Sequence, residues 1–277
     1  MIRVEHLHKQ YGTEAVLQGV GFTLTAGRCL AVLGRSGSGK TTLLRILAGQ
    51  ADADQGTATV NDKDLLRLPP ERRGVVYLSQ EPLLFPHLDV FENVAFGLRL
   101  RAKTDTPLAW GMDAARQAGA RWGLGKGTTD ASADNKLRFT VQSLLQELDL
   151  ADHADKLPAM LSGGQKQRAA FGRALIIRPD VVLLDEPFAS LDAPTRADMQ
   201  ALFRQVSRKY GITSLLVTHD VREALVLGDD LARLTKGKLH VYPDRAAFVA
   251  DPDSGVADER AFWTALDGRD DAHDTVS

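Results

Sequence analysis

Eight residues, Gly34-Arg35-Ser36-Gly37-Ser38-Gly39-Lys40-Thr41, fit the pattern G-x-x-x-x-G-K-[ST] and follow the apolar run Cys29 to Leu33. Glycines at those positions let successive backbone N–H groups curl around an anion, while a lysine neutralises the outer phosphates and a threonine hydroxyl reaches magnesium. The implied chemistry is binding of a nucleoside triphosphate. On its own the motif does not choose between a kinase, a GTPase and a transport ATPase. Asp185 and Glu186 follow a second apolar run, Val181 to Leu184. Both carboxylates therefore emerge at the carboxyl end of a buried parallel strand, where ligands gather in open α/β sheets. Asp185 would hold the metal, directly or through water, and Glu186 would polarise the attacking water.

A second phosphate-binding apparatus lies far downstream. In Leu161-Ser162-Gly163-Gly164-Gln165 a serine hydroxyl and glycine N–H groups stand at a helix start, which suits a γ-phosphate. A helix cap without chemistry is the alternative, and Lys166 and Arg168 then read as solvated helix charges. Two phosphate-binding surfaces on one chain imply that two chains share each nucleotide. Gln80, at the end of a third strand, offers an amide donor and acceptor to metal and water, or serves structure alone. His219, just after the apolar run Leu215 to Val217, would contact the γ-phosphate and orient water, or simply cap or pack a helix. His6, His8, His87, His153, His240 and His273 show no metal-ligand spacing and receive no role.

The elements that must position these residues follow from pattern. Strand, glycine loop and the helix Lys40 to Ala48, closed by Gly49, stand in the order a phosphate loop requires. Short strands are expected at Ile2 to Leu7, Val16 to Thr25 and Gly74 to Ser79. Asp89 with Glu92, and Asp220 with Glu223, have capping-box spacing at two helix starts. The first of these helices runs to about Arg101. Further helices are expected from Ser162 to Ile177 and from Pro194 to Tyr210. Between residues 104 and 136 the composition shifts to Gly, Thr, Ala and Asp, which reads as a poorly ordered insertion with one short helix around Asp113 to Trp122. Helical spacing resumes at Phe139. After Val241 an acidic tail begins, with a docking helix expected at Asp258 to Leu266 carrying Phe262 and Trp263.

Composition narrows the class. With 277 residues and 44% hydrophobic content the chain can bury a sizeable core. Its net charge of −2 gives no overall footprint for nucleic acid, and none is expected as a partner. No apolar run approaches a membrane span, and the start lacks a secretory core, so a soluble chain that stays where it is made is expected. The single cysteine, Cys29, cannot form an internal disulfide and reads as a buried structural thiol.

Taken in order, Tyr11, GRSGSGKT, Gln80, LSGGQ, VVLLDE, Ser190-Leu191-Asp192 and His219 resemble the ordered motif set of an ATP-binding cassette (ABC) ATPase, the motor subunit of ABC transporters. The resemblance covers Met1 to about Tyr242, and the insertion is its main gap. It implies an α/β fold: a P-loop NTPase ABC cassette with a mixed β-sheet core and an inserted helical signature subdomain. The corresponding division is an ATP-binding core at 1–78 and 178–242, a helical signature subdomain at 79–177, and a short C-terminal extension at 243–277. Residue by residue, Tyr11 resembles the aromatic residue that stacks on adenine, Gly34 to Thr42 the Walker A loop, and Asp185 the Walker B aspartate. Glu186 resembles the catalytic glutamate, Gln80 the Q-loop residue, Ser190 to Asp192 the D-loop, and His219 the switch histidine. In the family Ser162, Gly163, Gly164 and Gln165 act on the nucleotide held by the other cassette. The implied cofactors are ATP and Mg2+, with Thr41, Gln80 and Asp185 around the metal. The implied partners are a second cassette chain, transmembrane permease subunits and, through them, an external solute-binding protein, at the cytoplasmic face of the membrane. The stretch from Ser79 to Leu98 looks most like bacterial importers of polyamines, iron, sulfate or molybdate; Leu84, Phe85 and Leu88 would suit a partner groove if exposed, or else pack on the helical subdomain. A cassette of an exporter or lipid-handling system shares every catalytic residue and stays open, as does a soluble ABC ATPase. The segment after Tyr242 is too short for the regulatory barrel many importer cassettes carry.

Overall fold

The computed structural model describes residues 1–103, 130–261 and 264. Its centre is β3 (Cys29–Leu33), β7 (Val181–Asp185) and β8 (Ser214–Thr218), in which every residue is buried. Strands covered on both faces can be apolar at every position, which is why they read as continuous hydrophobic runs. They form a six-stranded sheet with β6 (Val75–Leu78), β9 (Asp230–Thr235) and β10 (Lys238–Val241), in the order β10-β9-β3-β8-β7-β6. All neighbours are parallel except β9 and β10, so the sheet is mixed. A second, antiparallel sheet of order β2-β1-β4-β5 comprises β1 (Ile2–Tyr11), β2 (Glu14–Leu24), β4 (Gln55–Val60) and β5 (Lys63–Asp64).

Two cores follow from the alternation of side chains along the central strands. Leu30, Val32, Leu183 and Leu215 face one core, filled by α1 (Lys40–Ala48) and the inner face of the antiparallel sheet. Ala31, Leu33, Val182 and Leu216 face the other, filled by the remaining helices. These are α2 (Val90–Lys103), α3 (Asp130–Glu147), α4 (Gly163–Leu175), α5 (Ala193–Tyr210), α6 (Val221–Leu227) and α7 (Arg245–Ala250). Adjacent strands β3 and β8 therefore lead into helices on opposite faces, α1 and α6, which opens a crevice at their carboxyl ends. Among the described residues no helix is long and apolar enough to cross a membrane.

Some expectations fall outside the described residues and others need correction. Residues 104–129 of the expected insertion, with the helix around Asp113 to Trp122, lie outside the described residues. From Asp130 the chain is already helical, earlier than Phe139; the Asp134–Arg138 pair, 2.9 Å apart at i,i+4 spacing, supports the helix in the polar segment. The helix expected at Asp258 is helical at 256–261, while Phe262 and Trp263 lie outside the described residues. Both capping boxes form only their first half. Asp89 and Asp220 accept N–H groups from Glu92 and Glu223, but the Glu92 carboxylate turns to Arg99 and that of Glu223 to the Thr218 hydroxyl.

Candidate functional site

The loop between β3 and α1 is shaped by close backbone approach. Gly37 and Gly39 adopt φ of 79° and 102°, and a methyl group on Gly34 would stand 2.6 Å from Ser38 Oγ and 2.7 Å from the Leu234 carbonyl. A side chain at Gly34 has no room, and at Gly39 it would also be strained by the positive φ. Lys40, 5% exposed, donates from Nζ to the carbonyls of Gly34 (2.7 Å) and Arg35 (3.2 Å) and lies 3.4 Å from Glu186 Oε1. Arg35, Ser36 and Gly37 are exposed at the rim, Thr42 is half-buried, and the buried Ser38 hydroxyl has no hydrogen-bond partner. An orphaned hydroxyl beside a lysine whose hydrogen bonds go to loop carbonyls is what a phosphate would satisfy.

Asp185, the last residue of β7, is buried and divides its two oxygens between two donors. The Thr41 hydroxyl donates to Oδ1 at 3.1 Å, and the Tyr77 phenol donates to Oδ2 at 2.7 Å. Burial, then the bond to Asp185, push the Tyr77 phenol up to about 12, so it is a donor at neutral pH. Glu186 follows in left-handed backbone, φ 46°, with Oε2 2.8 Å from His219 Nδ1. Lys40, Thr41, Asp185, Glu186 and His219 are thus joined at one end of β3, β7 and β8. Hard oxygen donors at Thr41 and Asp185 suit Mg2+, which is held by one or two protein oxygens together with substrate phosphates.

The other expected residues lie apart from this cluster. Among the described residues no hydrogen bond or ion pair joins Ser162 to Gln165, Tyr11 or Gln80 to the five. Ser162 caps α4 in a full capping box: its hydroxyl accepts the Gln165 N–H, and the Gln165 side chain accepts the Ser162 N–H at 3.0 Å while its amide meets His153. Ser162 and Gly163 are exposed; Gly164 is buried so tightly that a methyl there would lie 2.6 Å from Thr195 Cγ2. Arg168 is not a free charge, because it pairs with Asp149 at 3.0 Å. Tyr11 is 51% exposed, with Lys9 Nζ 5.2 Å from its ring centroid. Gln80 is exposed two residues beyond β6.

Three features escaped sequence reasoning. Tyr77 pairs in register with Leu183, so its side chain emerges on the face that carries Asp185 two residues later; only the register reveals this. Asn93 is fully buried and binds the Phe85 N–H and the carbonyls of Phe85, Leu88 and Asp89. Leu84, Phe85 and Leu88 are half-buried, which favours the packing alternative over a fully exposed groove, and the Phe85 ring lies tilted on Phe96 at 4.5 Å, leaving Leu83, Phe96 and Leu100 outward. Arg196 donates to the Leu191 carbonyl at 2.9 Å and faces Asp220 at 3.7 Å, linking the two loops that flank the site. Cys29 is buried as expected, which pushes its thiol up to about 12.

The sequence model of the ABC transporter family matches residues 17–189. A sulfate/thiosulfate import ATP-binding protein, CysA, of Xanthomonas campestris pv. campestris is 41% identical over 91% of this chain and 66% of its own length. The protein of that name from Mycobacterium tuberculosis H37Rv is 40% identical over 83% and 58%, and that from Neisseria meningitidis serogroup B 35% over 98% and 67%. The chain thus spans about two thirds or less of the length of the curated relatives it matches. The dimeric structure of a bacterial ABC transporter cassette superposes with a TM-score of 0.67 at 25% identity, covering 87% of this chain and 97% of the cassette. A dimeric post-hydrolysis state of an ATP-binding cassette, bound to ADP and Pi, superposes with 0.68 at 24% identity over the same shares.

Proposed function

The chain belongs to the ABC transporter family, and from that premise we propose that it is the ATP-binding and ATP-hydrolysing subunit of an importer. The observation that carries the proposal is the pair of half-sites. Lys40, Thr41, Asp185, Glu186 and His219 converge through contacts of 2.8 to 3.4 Å, while the exposed Ser162 of the same chain caps a helix outside that cluster. A second copy, turned head to tail, would supply Ser162 and its glycines to the γ-phosphate.

Lys40 and the loop N–H groups from Gly34 to Thr42 stabilise charge on the phosphates, and Tyr11 stacks on the adenine at the rim. Thr41 and Asp185 would hold Mg2+, joined by Gln80 from outside the cluster, and the ion would supply electrostatic neutralisation of the phosphoryl oxygens. Water attacks the γ-phosphorus in line; the new P–O bond forms as the bond to the β-phosphate oxygen breaks, releasing ADP and phosphate. Glu186 accepts the water proton, and His219, bonded to Glu186, fixes the direction of attack. Closure and reopening of the two chains would drive permease subunits at the cytoplasmic face of the membrane, with an external binding protein delivering solute.

The names of the relatives favour import over export and a sulfate-class oxyanion as cargo. Reconstitution of the chain with its membrane subunits and binding protein in vesicles tests both. ATP hydrolysis should rise when sulfate or thiosulfate is added outside. Hydrolysis without stimulation by any solute on that side would refute import, and absence of hydrolysis in the full complex would refute the ATPase reading.

A further inference from the structure

Asp185 divides its two oxygens between two hydroxyl donors. Its Oδ1 receives the Thr41 hydroxyl, the same hydroxyl that a phosphate loop turns toward a nucleotide-bound cation. Its Oδ2 receives the Tyr77 phenol, at 2.7 Å. Among the described residues no other side chain donates to Asp185. Once Thr41 turns to the cation, Tyr77 is left as the single side-chain donor holding the carboxylate's rotation.

We propose that Tyr77 is a positioning residue for the metal: its hydroxyl locks Asp185 so that Oδ1, beside Thr41, is presented to the magnesium of the bound nucleotide. The inference rests on the ATP-binding reading above. Strand geometry supports it. Tyr77 pairs with Leu183 in the parallel β6–β7 ladder, so its ring rises on the α1 face, the same face as Asp185 and below Thr41. The ring packs against that core while only its hydroxyl reaches the carboxylate, so packing and positioning can be separated. Without the hydroxyl, Oδ2 would be a buried acceptor with no partner, and the carboxylate would rotate to seek one. Hydrogen bonds to the oxygen of a ligand that does not touch the metal fix its orientation, and their loss lowers metal affinity by about 10- to 100-fold.

Tyr77→Phe keeps the ring and removes the hydroxyl. Binding of a fluorescent ATP analogue would be titrated with excess Mg2+ and again in EDTA, for the native chain and the variant. The expected result is that the gain in affinity conferred by Mg2+ falls at least about tenfold in the variant, while affinity in EDTA stays within about twofold. Mn2+ electron paramagnetic resonance on the nucleotide complex should report the same loss of bound metal. In Asp185→Asn the Mg2+-dependent gain should already be small, and adding Tyr77→Phe should lower it no further. An unchanged Mg2+ gain in Tyr77→Phe, an equal loss with and without metal, or a further loss on top of Asp185→Asn would each overturn the proposal. Tyr77→Leu gives the same comparison if the phenylalanine variant does not fold. A native chain that binds the nucleotide in neither condition would overturn the ATP-binding reading itself.

Discussion

Glu186→Gln removes one proton acceptor and changes almost nothing else in shape. Glu186 is fixed from three sides: Oε2 lies 2.8 Å from His219 Nδ1, Oε1 lies 3.4 Å from Lys40 Nζ, and the backbone is held at φ 46° by its N–H bond to the Val217 carbonyl at 3.0 Å. Left-handed backbone at a non-glycine residue costs about 1–3 kcal/mol, which the surrounding structure must offset, and glutamine would be held in the same place at the same cost. Lys40 keeps its two loop carbonyls, so the phosphate loop should stay intact. What is lost is proton acceptance from the attacking water. A positioned general base contributes about 10²- to 10⁴-fold, equivalent to about 2.7–5.5 kcal/mol in the barrier. The turnover number of the reconstituted complex should therefore fall at least about a hundredfold, with ATP affinity within a fewfold of native. Single-turnover hydrolysis of radiolabelled ATP gives the first quantity and equilibrium binding the second, while light scattering in Mg-ATP should find the variant trapped as a dimer. Turnover within tenfold of native, or affinity falling as far as turnover, would refute the assignment of Glu186 as the base.

Ser162→Arg places a long cation where the exposed serine caps α4, outside the Lys40 cluster, so hydrolysis should be lost while ATP binding by the isolated chain is retained; loss of both would make Ser162 structural. Glu223 is 4% exposed, and burial raises its carboxyl from 4.5 to about 7 despite the Thr218 hydrogen bond. A carboxyl that binds its proton more tightly when folded contributes fully below pH about 4.5, loses that contribution as pH rises to about 7, and changes no further above; the span is about 3 kcal/mol. Glu223→Gln should flatten this fall and raise the melting temperature at pH 8 by several degrees, and parallel stability curves for the two proteins would refute it. Asn93→Ala should strand the Phe85 N–H, cost about 1–3 kcal/mol, and release the loop that leads to Leu88. Denaturant titration measures the first effect. Loss of stimulation by the membrane subunits, with basal hydrolysis intact, measures the second.

How much of this was legible depended on how locally each feature is encoded. The phosphate loop specifies its own strand, turn and helix, because Gly34, Gly39 and Gly49 each occupy a backbone position where a side chain would clash or be strained. The strands β3, β7 and β8 were readable because burial on both faces forces apolar runs. Strand β9 was not anticipated, since Asp230 and Arg233 interrupt its hydrophobic pattern; Arg28 and the Asp251–Asp253 segment satisfy them only after folding. Its hairpin with β10 did carry a local signal, Lys236-Gly237, both in positive φ, which is the turn geometry two-residue hairpins favour. The Asp89 and Asp220 caps were legible, but the destinations of Glu92 and Glu223 were not, because a nearby side chain, Arg99 two turns along the same helix and Thr218 at the preceding strand end, took each carboxylate in place of the backbone N–H.

The motif residues themselves stand out by type and spacing, whereas their partnerships span the chain. Thr41 meets Asp185 across 144 positions and His219 meets Glu186 across 33. No periodicity announces such pairs; strand order creates them, by setting β7 and β8 beside β3 so that their ends share one crevice. The same ordering joins features that sequence presents as separate. Gly164 is packed beneath Thr195, Thr195 is held by Asp192, and Arg196 holds the Leu191 carbonyl while facing Asp220, the neighbour of His219. The start of α4 is therefore packed on the start of α5, and these contacts run on to the loop bearing the histidine that touches Glu186. A surface offered to a second chain at Ser162 is thus built on the same contacts that frame this chain's own hydrolytic residues, a continuity that follows from packing and cannot be read from the motifs taken singly.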